Sequence, residues 1–200
     1  LYIKRRRILE TASSKIDMLR EKLQEISPRN LKYTLIYATD KDPEQLDQVN
    51  QTLSSLQVLY HQLTAEETAS PKKAQNIISS FQDGNLQVLT AKRVLDEGVN
   101  IPQIERAYIL ASTTVRRQWV QRRGRLLRRC KEIGKEYAVI HDFVTLPPSL
   151  VSGDLIDEDE KSIVNSELDR VWEFARLSKN GAHPGGPFEV VEELRRMVEG

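Results

Sequence analysis

Apolar residues alternate between two spacings along most of this chain. Short apolar runs rich in β-branched and aromatic residues predict five strands, at 32–38, 57–61, 86–90, 106–111 and 136–142. Apolar residues at helical spacing predict helices between them, at 44–56, 70–84 and 114–132. Short strands that alternate with helices predict an α/β fold with a parallel sheet and helices on both faces. Ligands of such sheets bind at the carboxyl ends of the strands.

Both ends of the chain are predicted to be helical. A helix is expected between Arg7 and Ile26, and further helices at 160–179 and 188–199, with KNGAHPGGP as a flexible break between the last two. We therefore expect three parts: a linker and first helix at 1–30, an α/β domain at 31–148, and a helical extension at 149–200.

Composition narrows the class of protein. The chain has 200 residues, 39% hydrophobic and 30% charged, which suits one domain with an appendage. Its single cysteine, Cys130, excludes an internal disulfide and a Cys-based zinc site, and its three histidines are too dispersed for a metal site. A lone cysteine fits a reducing compartment, so we expect an intracellular protein, cytoplasmic (bacterial or archaeal) or nuclear. No apolar run is long enough to span a membrane, so no membrane span is expected. The first residue is Leu, so we expect a piece of a longer protein.

Positive charge is concentrated in one segment although the net charge is only +1. Residues 116–131 carry eight Lys/Arg and no Asp/Glu. On the predicted helix, Gln121, Arg125 and Arg128 share one face, and converging guanidiniums suit a triphosphate. Gly124 costs a helix about 1 kcal/mol relative to alanine, so we expect a neighbour too close for a Cβ. A solvated basic face and a nucleic-acid backbone patch stay open as alternatives.

A second segment, VLTAKRVLDEGVNIP at 88–102, combines a strand end with a loop. Thr90 offers a hydroxyl to a phosphate at the carboxyl end of the strand, and Asn100 offers a side chain to a ribose hydroxyl. Taken alone this pattern is weak, since many α/β proteins contain it.

Taken together, the two segments resemble the second RecA-like lobe of superfamily 2 helicases and translocases. LIYATD (35–40) resembles the motif that opens that lobe, TAKRVLDEGVNIP (90–102) its fifth motif, and QRRGRLLR (121–128) its sixth, Q-x-x-G-R-x-x-R. The resemblance covers about 5–145 and is strongest to the XPB-like branch and related DEAD/DEAH-type restriction and repair helicases.

The resemblance implies roles for residues at matching positions. Arg125 and Arg128 would reach the γ-phosphate of ATP, and Gln121 would place the attacking water or couple the nucleotide to the lobe. Gly98, Asn100 and Gly124 would lie near the nucleotide, and Thr39, Thr90 and Arg93 would contact the nucleic acid, DNA in preference to RNA. Many relatives have Asp at the position of Asn100, which makes the implied ribose contact less secure.

The chain contains no G-x-x-x-x-G-K-[ST] loop and no acidic box after a strand. The resemblance therefore implies that ATP and Mg²⁺ are bound mainly by a first RecA-like lobe that precedes this one, and that the isolated chain is inactive. Two alternatives stay open: a RecA-like module that only binds nucleic acid or protein, and an α/β phosphate-binding enzyme such as a nucleotide-sugar transferase.

Overall fold

The computed structural model describes residues 12–39, 42–92, 100–111, 116–152 and 157–199. The chain divides into two compact units, of which the larger spans Glu10–Phe143 and the smaller includes Val144–Gly200. In the described part of the chain, no helix is long and apolar enough to cross a membrane.

The larger unit is built on a five-stranded sheet. Its strands are β1 (Thr34–Tyr37), β2 (Tyr60–Leu63), β3 (Val88–Ala91), β4 (Arg106–Ile109) and β5 (Val139–Asp142), in the spatial order β2-β3-β1-β4-β5. Every neighbouring pair is parallel. The predicted parallel α/β sheet is confirmed, with β1 at its centre.

Five helices of the larger unit are α1 (Ser14–Gln24), α2 (Pro43–Ser55), α3 (Ala65–Thr68), α4 (Pro71–Gln82) and α5 (Arg116–Leu126). A polar cap followed by a proline sets the start of two of these helices. The cap of α2 is Asp42, whose side chain accepts a hydrogen bond from Glu44 N, and the cap of α4 is Ser70, whose side chain accepts one from Lys73 N. Pro43 and Pro71 are the first residues of these helices. The short helix α3 was not predicted, because a single turn is too brief to show helical periodicity.

Successive side chains of β1 point to opposite faces of the sheet, and each face has its own apolar cluster. Leu35 and Tyr37 belong to one apolar cluster, which also contains Phe81 of α4 and Leu126 of α5. Ile36 points into the other cluster, together with residues of α1 and α2. Helices therefore cover both faces of the sheet, as buried parallel strands require.

The arginine-rich helix is shorter than predicted. It ends at Leu126 instead of 132, because Cys130 and Lys135 exchange backbone hydrogen bonds of 3.1 and 2.9 Å that close a tight reversal. Gly134 adopts φ +69° in this reversal, a conformation that favours glycine. Arg128 thus lies beyond the helix, and the prediction that it shares a helical face with Gln121 and Arg125 is wrong.

The smaller unit is helical. It contains α6 (Pro148–Ser152), α7 (Glu158–Ala175) and α8 (Pro187–Glu199), and apolar residues of α7 and α8 form its core. Asp157 caps α7 by accepting from Glu160 N, while the Glu160 carboxylate accepts from Asp157 N. This reciprocal capping accounts for acidic residues at the start of α7.

The predicted flexible break KNGAHPGGP is instead a compact series of turns. Gly186 N donates to His183 O at 2.8 Å, and Phe188 N donates to Gly181 O at 3.1 Å. A Cβ on Gly181 would lie 2.7 Å from the carbonyl oxygen of Ala175. The glycines of this segment therefore permit close packing between the two helices.

Helix α1 is an integral part of the larger unit, and a pair of substitutions tests this. Leu19 is fully buried in the core cluster shared with α2 and the sheet, whereas its neighbour Met18 is 45% exposed. We expect Leu19→Ala to lower the free energy of unfolding by about 2–5 kcal/mol, since it leaves a cavity. The control Met18→Ala should change it by less than about 1 kcal/mol. Equal effects of the two substitutions in urea denaturation would contradict this packing.

Candidate functional site

Two segments that are distant in sequence meet through a pair of exposed side chains. Arg128, two residues beyond the end of α5, donates a hydrogen bond from Nη1 to Oδ1 of Asn100. Asn100 is the first described residue after the segment 93–99. The structure therefore brings together two of the residues that the sequence placed at one site.

A buried lysine forms a second connection between the same two segments. Lys135 is 4% exposed, and its Nζ donates to the carbonyl oxygens of Pro102 and Leu126, both at 2.8 Å. Burial lowers the pKa of Lys135 to about 8, although the nearby Cys130 and Glu105 act in the opposite direction. Sequence reasoning missed this residue, because one lysine between a glycine and a strand has no distinctive pattern.

Arg125 presents a polar atom that has no partner inside the described chain. The residue is half-buried, and its Nη1 is buried without a hydrogen bond to any described residue. A buried N–H group without an acceptor costs about 1–3 kcal/mol, more for a charged group. Gln121 lies one helical turn earlier and is exposed. An acceptor supplied from outside the described residues would satisfy Arg125.

Gly124 does not have the close neighbour that its position in a helix led us to expect. The residue is exposed, and a Cβ built on it would meet no described atom within 4 Å. If a close approach requires glycine here, it is made by a group outside the described residues.

Thr39 and Thr90 lie near the carboxyl ends of the adjacent strands β1 and β3, and both are buried. The Thr90 hydroxyl donates to Oδ1 of Asn50 at 2.9 Å, and Thr39 N donates to Oε1 of Gln45 at 2.9 Å. Both partners belong to α2, so these bonds fasten that helix to the strand ends. Two further predicted site residues, Gly98 and Arg93, lie outside the described residues.

The bond from Thr90 continues into a chain of polar side chains that sequence reasoning missed. Asn50 donates to Gln62 at 3.2 Å, and Gln62 donates to the Glu67 carboxylate at 3.3 Å. Glu67 is 3% exposed and also accepts from the backbone N–H and hydroxyl of Thr64, at 2.9 and 2.6 Å. The capping pattern T-x-x-E at 64–67 is visible in the sequence, but the connection to Thr90 is not.

Glu67 is held in its charged form by this network. Burial is the largest single influence and would raise the pKa of its carboxyl, but the hydrogen bonds from Thr64 and Gln62 together outweigh it and lower the pKa to about 2. Among the described residues, no group of three or more His, Cys, Asp or Glu could hold a metal ion.

The sheet, the two connected segments and their sequence allow a family to be assigned. Residues 14–130, more than half of the chain, match the model of the helicase conserved C-terminal domain. The chain belongs to this family. It is also 30% identical over 122 residues to the DNA 3'-5' translocase XPB2 of Sulfurisphaera tokodaii. That match covers 61% of this chain and 25% of the relative, so the chain spans about a quarter of that protein's length.

Solved structures show the same fold. The C-terminal domain of the DEAD-box protein Dbp5 has a TM-score of 0.56 and 16% identity, and the match covers 82% of each chain. The C-terminal part of the Fun30 ATPase domain has a TM-score of 0.54 and 18% identity, over 76% of this chain and 49% of that one. The predicted RecA-like second lobe of a superfamily 2 helicase or translocase is confirmed.

The low pKa of Glu67 predicts a pH-dependent contribution to stability. Since its pKa is lower in the folded protein than the usual 4.5, the contribution is present above about pH 4.5 and disappears as the pH falls towards 2. We expect Glu67→Gln to lower the free energy of unfolding by about 3 kcal/mol at pH 7, and by much less at pH 2.5.

The matched control is Glu66→Gln, which changes an exposed carboxylate on the same short helix. It should have little effect on urea denaturation at either pH. A Glu67→Gln effect that is the same at pH 7 and pH 2.5 would contradict the low pKa.

Proposed function

We propose that this helicase C-terminal domain supplies arginine fingers for ATP hydrolysis by a superfamily 2 helicase or translocase. Arg125 and Arg128 would bind the γ-phosphate of an ATP that is held mainly by a first RecA-like lobe. The observation that carries the proposal is the unsatisfied Nη1 of the half-buried Arg125, three residues from Arg128 and its contact with Asn100.

The state of Arg125 favours an anionic ligand. Its guanidinium presents forked donors, of which one has no acceptor in the described chain. Phosphate oxygens match that fork and would satisfy the donor that has no acceptor among the described residues. In phosphoryl transfer, an arginine placed there stabilises charge that develops on the transferred oxygens.

The contact between Arg128 and Asn100 suits a residue that has to change partners. The amide oxygen of Asn100 is a neutral acceptor, so the bond orients the guanidinium without neutralising it. Charge-assisted bonds to a carboxylate are stronger, and an Asp at this position would compete better with a phosphate. Asn100 therefore orients Arg128, and breaking this bond costs less free energy than breaking a bond to a carboxylate would. Gly98, next to this segment, and Gly124 would border the nucleotide, and Gln121 would orient the attacking water.

Mg²⁺ is assigned to the first lobe in this proposal. Mg²⁺ is usually bound through one or two carboxylates, water and substrate phosphates, and where bound it would neutralise charge on the β- and γ-phosphates. The described residues of this chain offer no cluster for it, and we assign none of them to the ion. The positive charge that this chain contributes is that of Arg125 and Arg128, and without its partner lobe the chain would be inactive.

The nucleic acid would follow the edge of the sheet where β1 and β3 end. The Thr90 hydroxyl gives its proton to Asn50, so it has none left for a phosphate oxygen. Thr90 would therefore shape this edge, Thr39 would contact the nucleic acid, and Arg93 would provide the charge. We favour DNA because the curated relative is a DNA translocase. Such a protein works inside the cell, in the cytoplasm or the nucleus.

ATP hydrolysis by the complete protein, measured with and without DNA, tests the proposal. We expect Arg128→Ala to lower the DNA-stimulated kcat by about a thousandfold, because charge on the transferred oxygens is no longer stabilised, while DNA binding is largely retained. The matched control is Arg129→Ala, which removes a neighbouring exposed arginine and should keep most of the activity.

A different result would assign the arginines to another anion. If Arg128→Ala leaves hydrolysis unchanged and weakens DNA binding, the segment 121–129 is a nucleic-acid patch and the arginine-finger proposal is wrong.

A further inference from the structure

The carbonyl oxygen of Leu126 lies at the end of α5 and needs a donor. In a continuing helix, the N–H of Cys130 would bond to it, but that N–H donates to the carbonyl oxygen of Lys135 instead. The side chain of Lys135 replaces the missing donor, with its Nζ 2.8 Å from the Leu126 oxygen. A positive charge at this position also interacts favourably with the helix dipole.

The same ammonium group binds the segment that carries Asn100. Its second bond, also 2.8 Å, goes to the carbonyl oxygen of Pro102. One buried side chain therefore contacts the backbone two residues before Arg128 and two residues after Asn100. Nearby, Gln103 donates to the Glu132 carboxylate at 3.2 Å, which adds a weaker, partly buried connection between the same regions.

We propose that Lys135 is a positioning residue for Arg128, which keeps the end of α5 and the segment 100–102 at the separation that the contact between Arg128 and Asn100 requires. The expected effect of Lys135 on ATP hydrolysis rests on the proposed function. Its effect on the position of Arg128 does not, because all the contacts involved lie within this chain. Lys135 lies outside residues 14–130, the part that matches the helicase domain model.

The charge of Lys135 makes this arrangement sensitive to pH. Burial lowers its pKa to about 8, and the titratable groups acting on it are Cys130 in the same reversal and Glu105 before β4. The protonated group can give strong, charge-assisted bonds to both carbonyl oxygens, whereas the neutral amine gives weaker ones. Positioning should therefore weaken as the pH rises through about 8.

The first experiment uses this 200-residue chain and does not depend on ATP hydrolysis. We would record the side-chain NMR signals of Arg128 (Nε–Hε) and Asn100 (Nδ2–Hδ2) in the wild type and in Lys135→Met. Methionine keeps the unbranched chain as far as the Cε position and removes the charged donor group. Both signals should shift. The control Lys131→Met removes an exposed lysine from the same reversal and should leave both signals in place. Urea denaturation of each variant shows that it is folded.

The second experiment measures ATP hydrolysis by the complete protein. Lys135→Met should lower kcat by about ten- to a hundredfold with little change in KM, as expected for a misplaced catalytic group. In the wild type, kcat should fall between pH 7 and pH 9. Lys135→Arg keeps a positive charge at this position over the whole pH range, so it should keep most of the activity and show no such fall in kcat.

The outcomes separate the inference from the proposed function. Unchanged Arg128 and Asn100 signals in folded Lys135→Met would overturn the positioning role. Shifted signals with an unchanged kcat would overturn it as well, provided that Arg128→Ala lowers kcat in the same assay. Shifted signals in a complete protein that hydrolyses ATP equally well after Arg128→Ala would uphold the geometry and overturn the arginine-finger proposal instead.

Discussion

The proposed site depends on how the segment 100–102 is held against the end of α5. Two of the hydrogen-bonded connections between them differ in exposure: the buried ammonium group of Lys135 binds a backbone carbonyl on each side, and the exposed Arg128 binds Asn100. The buried connection is shielded from water and fixes the backbone, whereas the exposed one is weak enough to be exchanged for another acceptor. In the proposed mechanism, Arg128 exchanges Asn100 for a phosphate. This requires a backbone that stays in place and a side-chain contact that can be broken.

The sheet provides the rigid support for this arrangement. Its central strand β1 is buried on both faces, and α2 is fastened to the strand ends by the bonds from Thr39 and Thr90. The polar chain from Thr90 to Glu67 extends this fastening to β2 and α3. Polar side chains at this end of the sheet thus stabilise its shape.

Sequence patterns were sufficient for the fold, and they named Arg128 and Asn100, which the structure brings into contact. Apolar runs located all five strands within a few residues, and caps such as Ser70 with Pro71 located helix starts, because these features depend on local chemistry. The extent of α5 was not predictable in this way. Its end is set by the bridge between Cys130 and Lys135, a contact between residues that have no shared periodicity. The roles of Lys135 and Asn50 were missed for the same reason, since buried polar partners are chosen by the tertiary fold.

The central claim is that Arg125 and Arg128 act on the γ-phosphate of ATP, and one structure would test it most directly. We would determine the structure of the complete protein with DNA and a non-hydrolysable ATP analogue. The account predicts that guanidinium nitrogens of both arginines lie within about 3 Å of γ-phosphate oxygens, with Lys135 still bound to Pro102 and Leu126. A closed complex in which Arg128 stays on Asn100 and Arg125 reaches no phosphate would contradict it.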